Sequence, residues 1–200
     1  MTATIKCMNE LGSKIYKDRN NVHIDGTNIF NVSKELELDC NESGSTLRFL
    51  IPLSLLTGET VKFIGKGKLM ERPQEPYFDL FKEKDINYCQ TSKGLEVKGE
   101  LRAGEYNLPG DVSSQFVTGL LFTLPLLKGD SVINITNELE SKSYVDITID
   151  VLKSFGISIE NQDYKRFIIK GNQEYKAREY KVESDFSQSA FFMVAGAIRK

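Results

Sequence analysis

Apolar positions recur along this chain in two different rhythms. Ser45 to Leu56 and Gln115 to Leu127 are apolar on nearly every side, as helices surrounded by protein are, and Ser189 to Ile198 has the same character. Thr2 to Leu11 and Tyr144 to Phe155 mix charges among their apolar positions and predict half-exposed helices. Thr60–Ile64, Leu95–Lys98 and Phe167–Lys170 alternate, or nearly so, which suits strands in sheets with one wet face. Pro52 and Pro125 fall inside two of the buried segments. A proline cannot donate the N–H that continues a helix, so each segment is expected to kink or to start late.

These elements repeat. Met8 to Gly26, Phe81 to Gly99 and Leu152 to Gly171 each read as a helix end, a short strand, a polar turn and an alternating strand, and their closing glycines lie 73 and 72 residues apart. Between them, Gly58 to Ile64 corresponds to Gly129 to Ile135 at a spacing of 71. Self-similarity at a fixed period means one supersecondary unit used several times, each copy too small to bury its own apolar face. The unit reads strand, helix, strand, helix, strand, strand. It predicts an α/β fold, a pseudo-threefold repeat of βαβαββ units with buried helices surrounded by sheets.

Composition narrows the function. With 200 residues and 40% apolar content, the chain is long enough to bury roughly 70% of its unfolded surface. A net charge of −2, and no dense Lys/Arg cluster, argue against a nucleic-acid surface. No apolar run reaches the length of a membrane span, and Met1 is not followed by a basic region and an apolar core, so no membrane partner is expected. Cys7, Cys40 and Cys89 are odd in number and form no Cys-x-x-Cys pair, which fits thiols in a reducing cytoplasm. His23 alternates with Val22 and Ile24 and reads as a solvent-facing strand residue, and one histidine with three scattered cysteines assembles no metal site.

Candidate chemistry concentrates at helix starts. Gly110-Asp111-Val112-Ser113-Ser114-Gln115-Phe116 is a polar loop running straight into an apolar helix. Such a start carries unpaired backbone N–H groups and positive dipole charge and so favours a phosphate or carboxylate. Ser113, Ser114 and Gln115 can add side-chain bonds to the same anion, while the same residues also fit an ordinary N-cap. Equivalent starts occur at Asn41 to Ser45 and Ser184 to Gln188. Under pseudo-symmetry the three point to one end of the domain and make an electropositive face despite the negative net charge. The second helix of each unit begins near Met70-Glu71-Arg72-Pro73 and Ser141-Lys142-Ser143-Tyr144, bringing Arg72 and Lys142 to loops where an anion could be held. A surface ion pair with Glu71 or Glu75 is the plainer use for Arg72. Arg48, charged and in the first turns of a buried helix, needs a partner.

Asn41-Glu42-Ser43-Gly44-Ser45-Thr46-Leu47-Arg48, Glu71-Arg72-Pro73, Gly110 to Phe116 and Ser141-Lys142-Ser143-Tyr144-Val145-Asp146 resemble successive motifs of the 5-enolpyruvylshikimate-3-phosphate synthase family, over essentially the whole chain. That family moves the enolpyruvyl group of phosphoenolpyruvate to shikimate 3-phosphate and is the target of glyphosate. The resemblance implies that Ser113, Ser114 and Ser141 hold the phosphate of shikimate 3-phosphate, with Tyr144 beside the shikimate ring. It implies that Gln115 touches both substrates and that Gly44 and Arg72 form the phosphoenolpyruvate subsite, which the helix bearing Ser45 and Arg48 shapes. No cofactor is implied. Glu42 stands where the family usually has Asn, and Ser45 where it usually has Thr.

The same resemblance divides the chain. Residues 1–177 look like the shikimate-3-phosphate-binding repeat domain without its first strand and helix. Residues 178–200 look like a strand and helix opening the family's other domain, which is expected to pack onto the first or to swap into a dimer partner. The proton-transferring acid and base belong to that second domain, so the isolated chain is expected to be inactive. Two alternatives share the fold. UDP-N-acetylglucosamine enolpyruvyl transferase usually carries a reactive Cys before its Arg-Pro, where Lys68-Leu69-Met70-Glu71 offers none. A non-catalytic protein or one resembling RNA 3′-phosphate cyclase is disfavoured by the acidic charge and by the lack of a His in the helix-start loops.

Overall fold

The computed structural model describes residues 1–182 and 186–199, the side chains of 186–189 excepted. The chain opens with α1 (Thr2–Glu10) and an antiparallel hairpin, β1 (Lys14–Asp18) and β2 (Asn21–Asp25). Next come β3 (Leu36–Asp39), α2 (Gly44–Ser54), β4 (Val61–Ile64), α3 (Glu75–Glu83), β5 (Asn87–Thr91) and β6 (Gly94–Lys98). A further set follows in the same order: β7 (Glu105–Leu108), α4 (Ser114–Thr123), β8 (Ser131–Ile135), α5 (Lys142–Ser154), β9 (Ile159–Gln162) and β10 (Arg166–Ile169). Both complete sets are βαβαββ, and their sheets share one topology, β3-β4-β6-β5 and β7-β8-β10-β9. In each the first pair is parallel and the other two are antiparallel. The first copy is represented by its closing three elements, α1, β1 and β2.

Alternation decides which face of each sheet is wet. Leu36 and Leu38 of β3, Val61 and Phe63 of β4, Tyr106 and Leu108 of β7, and Phe167 and Ile169 of β10 point inward and are buried, with exposed or half-buried residues between them. They enclose α2 and α4, which pack against each other and bury residues around most of their circumference. α3 and α5 are one-sided, as their mixed composition requires: α5 buries only Val145, Thr148 and Leu152. Among the described residues no helix is long and apolar enough to cross a membrane.

The two prolines behave differently. α4 ends at Thr123, and Leu124–Leu126 tightens into a 3-10 turn around Pro125, so there the proline ends the α-helix where a kink or a late start was expected. Pro52 does not break α2, which continues to Ser54. The carbonyl that loses its helical donor to Pro52 is that of Arg48, and the Tyr77 hydroxyl donates to it at 2.8 Å. A side-chain donor from α3 thus stands in for the absent backbone N–H.

The last helix, α6 (Phe186–Ile198), corrects one expectation. Its composition reads as buried, yet Phe191 is 74% exposed and Phe192 81%, and Met193, Val194 and Ile198 are also exposed. Of the two placements expected from sequence, packing onto the body of its own chain is not seen among the described residues, and exchange with a second chain stays open. Tyr180 to Val182 have no regular structure, although the Tyr180 ring lies 5.7 Å from that of Phe155. The remainder of the expected strand and the helix start at Ser184-Asp185 lie outside the described residues. Removing residues 183–200 is therefore expected to leave the melting temperature of the body within about 2 °C of the parent, since exposed side chains contribute little to stability. A large loss in a thermal melt would show instead that α6 seats on the body in solution.

Candidate functional site

Three helix N-termini open onto one cleft. Ser45 in the first turn of α2, Ser113 to Gln115 at the start of α4 and Ser141 at the start of α5 line it together, enclosing about 500 Å³. Their unpaired N–H groups and dipole ends give the cleft a positive potential that needs no cationic side chain. Ser113 is the N-cap of α4, its hydroxyl accepting from the Gln115 N–H at 3.3 Å. The ordinary-cap reading therefore holds for Ser113 and not for its neighbours. The Ser114 hydroxyl makes no hydrogen bond among the described residues. Ser141 stands at the N-cap of α5 in the left-handed region, φ 56°, and its side chain caps nothing. Two hydroxyls on two helix starts thus remain available to a ligand.

Gln115 is the hinge between this cleft and a second group of residues. Its Oε1 accepts from Arg48 Nη1 at 2.9 Å, and Arg48 Nη2 donates to the Pro73 carbonyl at 3.2 Å. The Arg48 guanidinium also lies over the Phe116 ring, 4.8 Å from its centroid. Arg72 stands beside Gly44: a Cβ added there would sit 2.9 Å from Arg72 Nη1 and 4.0 Å from Gln115 Oε1. Glycine at position 44 is what lets the second guanidinium approach the α2 N-terminus. Burial pulls the Arg48 pKa below its ordinary value, Tyr77 opposes the shift, and the Arg72 charge adds to it. Among the described residues no carboxylate forms an ion pair with either arginine, so the surface pairing of Arg72 with Glu71 or Glu75 is not formed. Two neighbouring cations at a helix start, without a protein counterion, suit an anion.

The turn that carries Arg72 is fixed from below. Gln90 on β5 donates to the Met70 carbonyl at 2.6 Å, and Gln74 Nε2 donates to the Arg72 carbonyl at 3.3 Å. Lys142 is not among the residues lining the cleft. Its ammonium lies 3.6 Å from Glu138 and over the Tyr164 ring, an exposed pair of little energetic weight.

Sequence reasoning thus brings Ser45, Ser113, Ser114, Gln115, Ser141 and Tyr144 to one cleft, with Arg48, Gly44 and Arg72 adjoining through Gln115. It misses Val112, Phe49, Thr118, Glu140, Ile147 and Thr148, which complete the lining. Three of these carried a legible signal: Phe49, Thr118 and Thr148 lie four residues after Ser45, Ser114 and Tyr144, hence one turn further along the same helix face. Thr118 and Thr148 join α4 to α5 through hydroxyls 3.2 Å apart. It also misses Tyr77, whose hydroxyl is buried against the carbonyls of Arg48 and Phe116.

A family model described as EPSP synthase (3-phosphoshikimate 1-carboxyvinyltransferase) matches residues 1–200. The 3-phosphoshikimate 1-carboxyvinyltransferase of Clostridium kluyveri is 53% identical over 201 residues, covering 99% of this chain and 47% of the relative. That of Clostridium perfringens (strain SM101 / Type A) is 50% identical over 198 residues, 98% of this chain and again 47% of the relative. The chain spans about half the length of the curated relatives it matches. Among solved structures, EPSP synthase from Acinetobacter baumannii shares the fold with a TM-score of 0.78 at 22% identity, over 98% of this chain and 44% of that one.

Proposed function

The chain belongs to the EPSP synthase family, and on that premise we propose that it forms the lobe of a 3-phosphoshikimate 1-carboxyvinyltransferase that receives shikimate 3-phosphate. The observation that carries this reading is the meeting of the α2, α4 and α5 N-termini at one cleft, with two arginines at its side that have no carboxylate partner among the described residues. Ser113, Ser114 and Ser141 take the phosphate of shikimate 3-phosphate, where helix N–H groups and hydroxyls give charge-assisted bonds. Tyr144 flanks the ring. Gln115 bridges to phosphoenolpyruvate, whose anionic groups face Arg72 across Gly44, and Ser45 and Arg48 hold the shape of that subsite. The site asks for no metal or organic cofactor, because both substrates bring their own reactive groups.

The acid and base that move protons during addition and elimination belong to the facing lobe, which also excludes water once both ligands are enclosed. Turnover is therefore a property of the assembled two-lobed enzyme, acting in the cytoplasm. The exposed apolar α6 suits insertion into that facing lobe, or exchange with a second copy of the chain as a low-cost route to a dimer.

Titration of the isotope-labelled chain with shikimate 3-phosphate, a UDP-sugar and a short RNA, followed by amide NMR, tests the assignment. Shifts confined to residues 113–115 and 141–148, and seen only with shikimate 3-phosphate, are expected. Binding would be weak because only one side of the ligand is enclosed. A preference for the UDP-sugar or for RNA would overturn the proposal.

A further inference from the structure

We propose that Tyr77 is a positioning residue for Arg48, supplying the donor that Pro52 removes from α2 and so setting the guanidinium against Gln115 and Pro73. The proposal rests on the reading of the Arg48–Arg72 side as an anion subsite only for its effect on ligand; its structural half stands alone.

The arithmetic of donors requires such a group. In a helix the carbonyl of residue 48 accepts from the N–H of residue 52, and residue 52 is proline, inside α2. An orphaned carbonyl in a closely packed helix pair is costly and bends the helix unless another donor reaches it. The Tyr77 hydroxyl reaches it at 2.8 Å, with the Phe116 carbonyl at 3.1 Å. A phenol has one proton for these two acceptors. Phe116 O can still accept from the N–H of residue 120, so the shorter contact, to Arg48 O, is the one that matters. Tyr77 is only 1% exposed, and burial raises its pKa well above the ordinary tyrosine value, which keeps the proton in place.

The same side chain also acts from the side. Its ring meets Phe116 edge-on at 4.9 Å and 80°, and Phe116 in turn carries the Arg48 guanidinium on its face at 4.8 Å. Space for the hydroxyl exists because residue 119 has no side chain: a Cβ there would fall 2.3 Å from Tyr77 Oη and 3.1 Å from Pro52 Cγ. Pro52, Gly119 and Tyr77 therefore form one joint. It fixes the α2 backbone at Arg48, while α3, which carries Tyr77, directly follows the Arg72-Pro73 turn. Both arginines are thus referred to the same segment.

The test uses the chain with 15N-labelled arginine. Its first readout is the Arg48 Nε–H resonance without ligand, which reports the Phe116 ring current. Its second is affinity for phosphoenolpyruvate at saturating shikimate 3-phosphate. In Tyr77→Phe the Arg48 resonance is expected to move towards the free-arginine position, and phosphoenolpyruvate affinity to fall about tenfold, the scale of one buried hydrogen bond lost. Shikimate 3-phosphate affinity should fall less than phosphoenolpyruvate affinity, because Ser114 and Ser141 are not part of the joint and only Gln115, which Arg48 holds, faces both substrates. In Pro52→Ala the backbone N–H returns, so adding Tyr77→Phe should change neither readout. If Tyr77→Phe alone fails to fold, a folded Pro52→Ala/Tyr77→Phe chain with the Pro52→Ala resonance supports the proposal, and an unfolded one overturns it. An unmoved Arg48 resonance in Tyr77→Phe, or an equal loss in the Pro52→Ala background, also overturns it. If wild type binds neither substrate, the functional reading fails, while the ligand-free Arg48 resonance still decides the role of Tyr77.

Discussion

A chain carrying Ser114→Ala and Ser141→Ala together is expected to fold as the parent does and to show no amide shifts on addition of shikimate 3-phosphate. Neither hydroxyl has a hydrogen-bond partner among the described residues, so no native hydrogen bond there is lost. Ser141 already holds φ 56° with a Cβ, and alanine adds no strain there. The stability change should be within about 0.5 kcal/mol. Binding is a different matter, because a hydrogen bond to a charged group contributes about 1.5–3 kcal/mol. Losing two would weaken a half-enclosed site by about two to four orders of magnitude. Ser113→Ala separates the two roles: it removes the α4 N-cap and should cost about 1 kcal/mol of stability. Unaltered shikimate 3-phosphate shifts in the double variant would place the phosphate elsewhere.

Much of this arrangement could be read from sequence because repetition exposes it. The matching of Gly58–Ile64 with Gly129–Ile135 puts β4 and β8 in equivalent places, and the structure gives both the same neighbours in their sheets. Helix starts were legible for a local reason: a short run of Gly, Asp and Ser before an apolar stretch has few other uses. What sequence does not carry is coupling between elements. The choice between Ser113 as cap and Ser114 as free hydroxyl depends on backbone angles at one residue, φ −172° and ψ 133° at Ser113. The survival of α2 through Pro52 depends on a tyrosine 25 residues away in sequence. No local pattern marks Tyr77 as the donor, since it sits in an amphipathic helix where an aromatic reads as core. The cover of α6 is not legible in sequence for a related reason. A helix apolar on every side must be covered by something, but its composition does not say that the cover lies in the same part of the chain.

Gly119→Ala is expected to be among the most damaging single-methyl additions in the chain. In isolation the change favours folding, since alanine is preferred over glycine inside a helix by about 1 kcal/mol. Against that stands the space at the α2–α4 crossing. The new Cβ would lie 2.3 Å from Tyr77 Oη and 2.6 Å from Arg48 O, with Pro52 Cγ at 3.1 Å. None of these can yield cheaply. The carbonyl belongs to helix backbone, the proline ring is rigid, and the hydroxyl is held on the Arg48 carbonyl with that of Phe116 beside it. Relief requires α2 and α4 to separate, which opens the packing between the two helices, whose Leu47, Ile51, Phe116 and Leu120 are all buried. The net cost should reach the upper end of the overpacking range, about 3 kcal/mol, or about 6–12 °C in melting temperature for a domain of this size. Gly26→Ala is the control: nothing lies within 4 Å of its added Cβ, and its melting temperature should match the parent. A Gly119→Ala chain that melts with the Gly26→Ala control would mean that the two buried helices can slide apart without penalty, and the Arg48 guanidinium would then owe its place to Gln115, Pro73 and the Phe116 ring rather than to the Tyr77 joint.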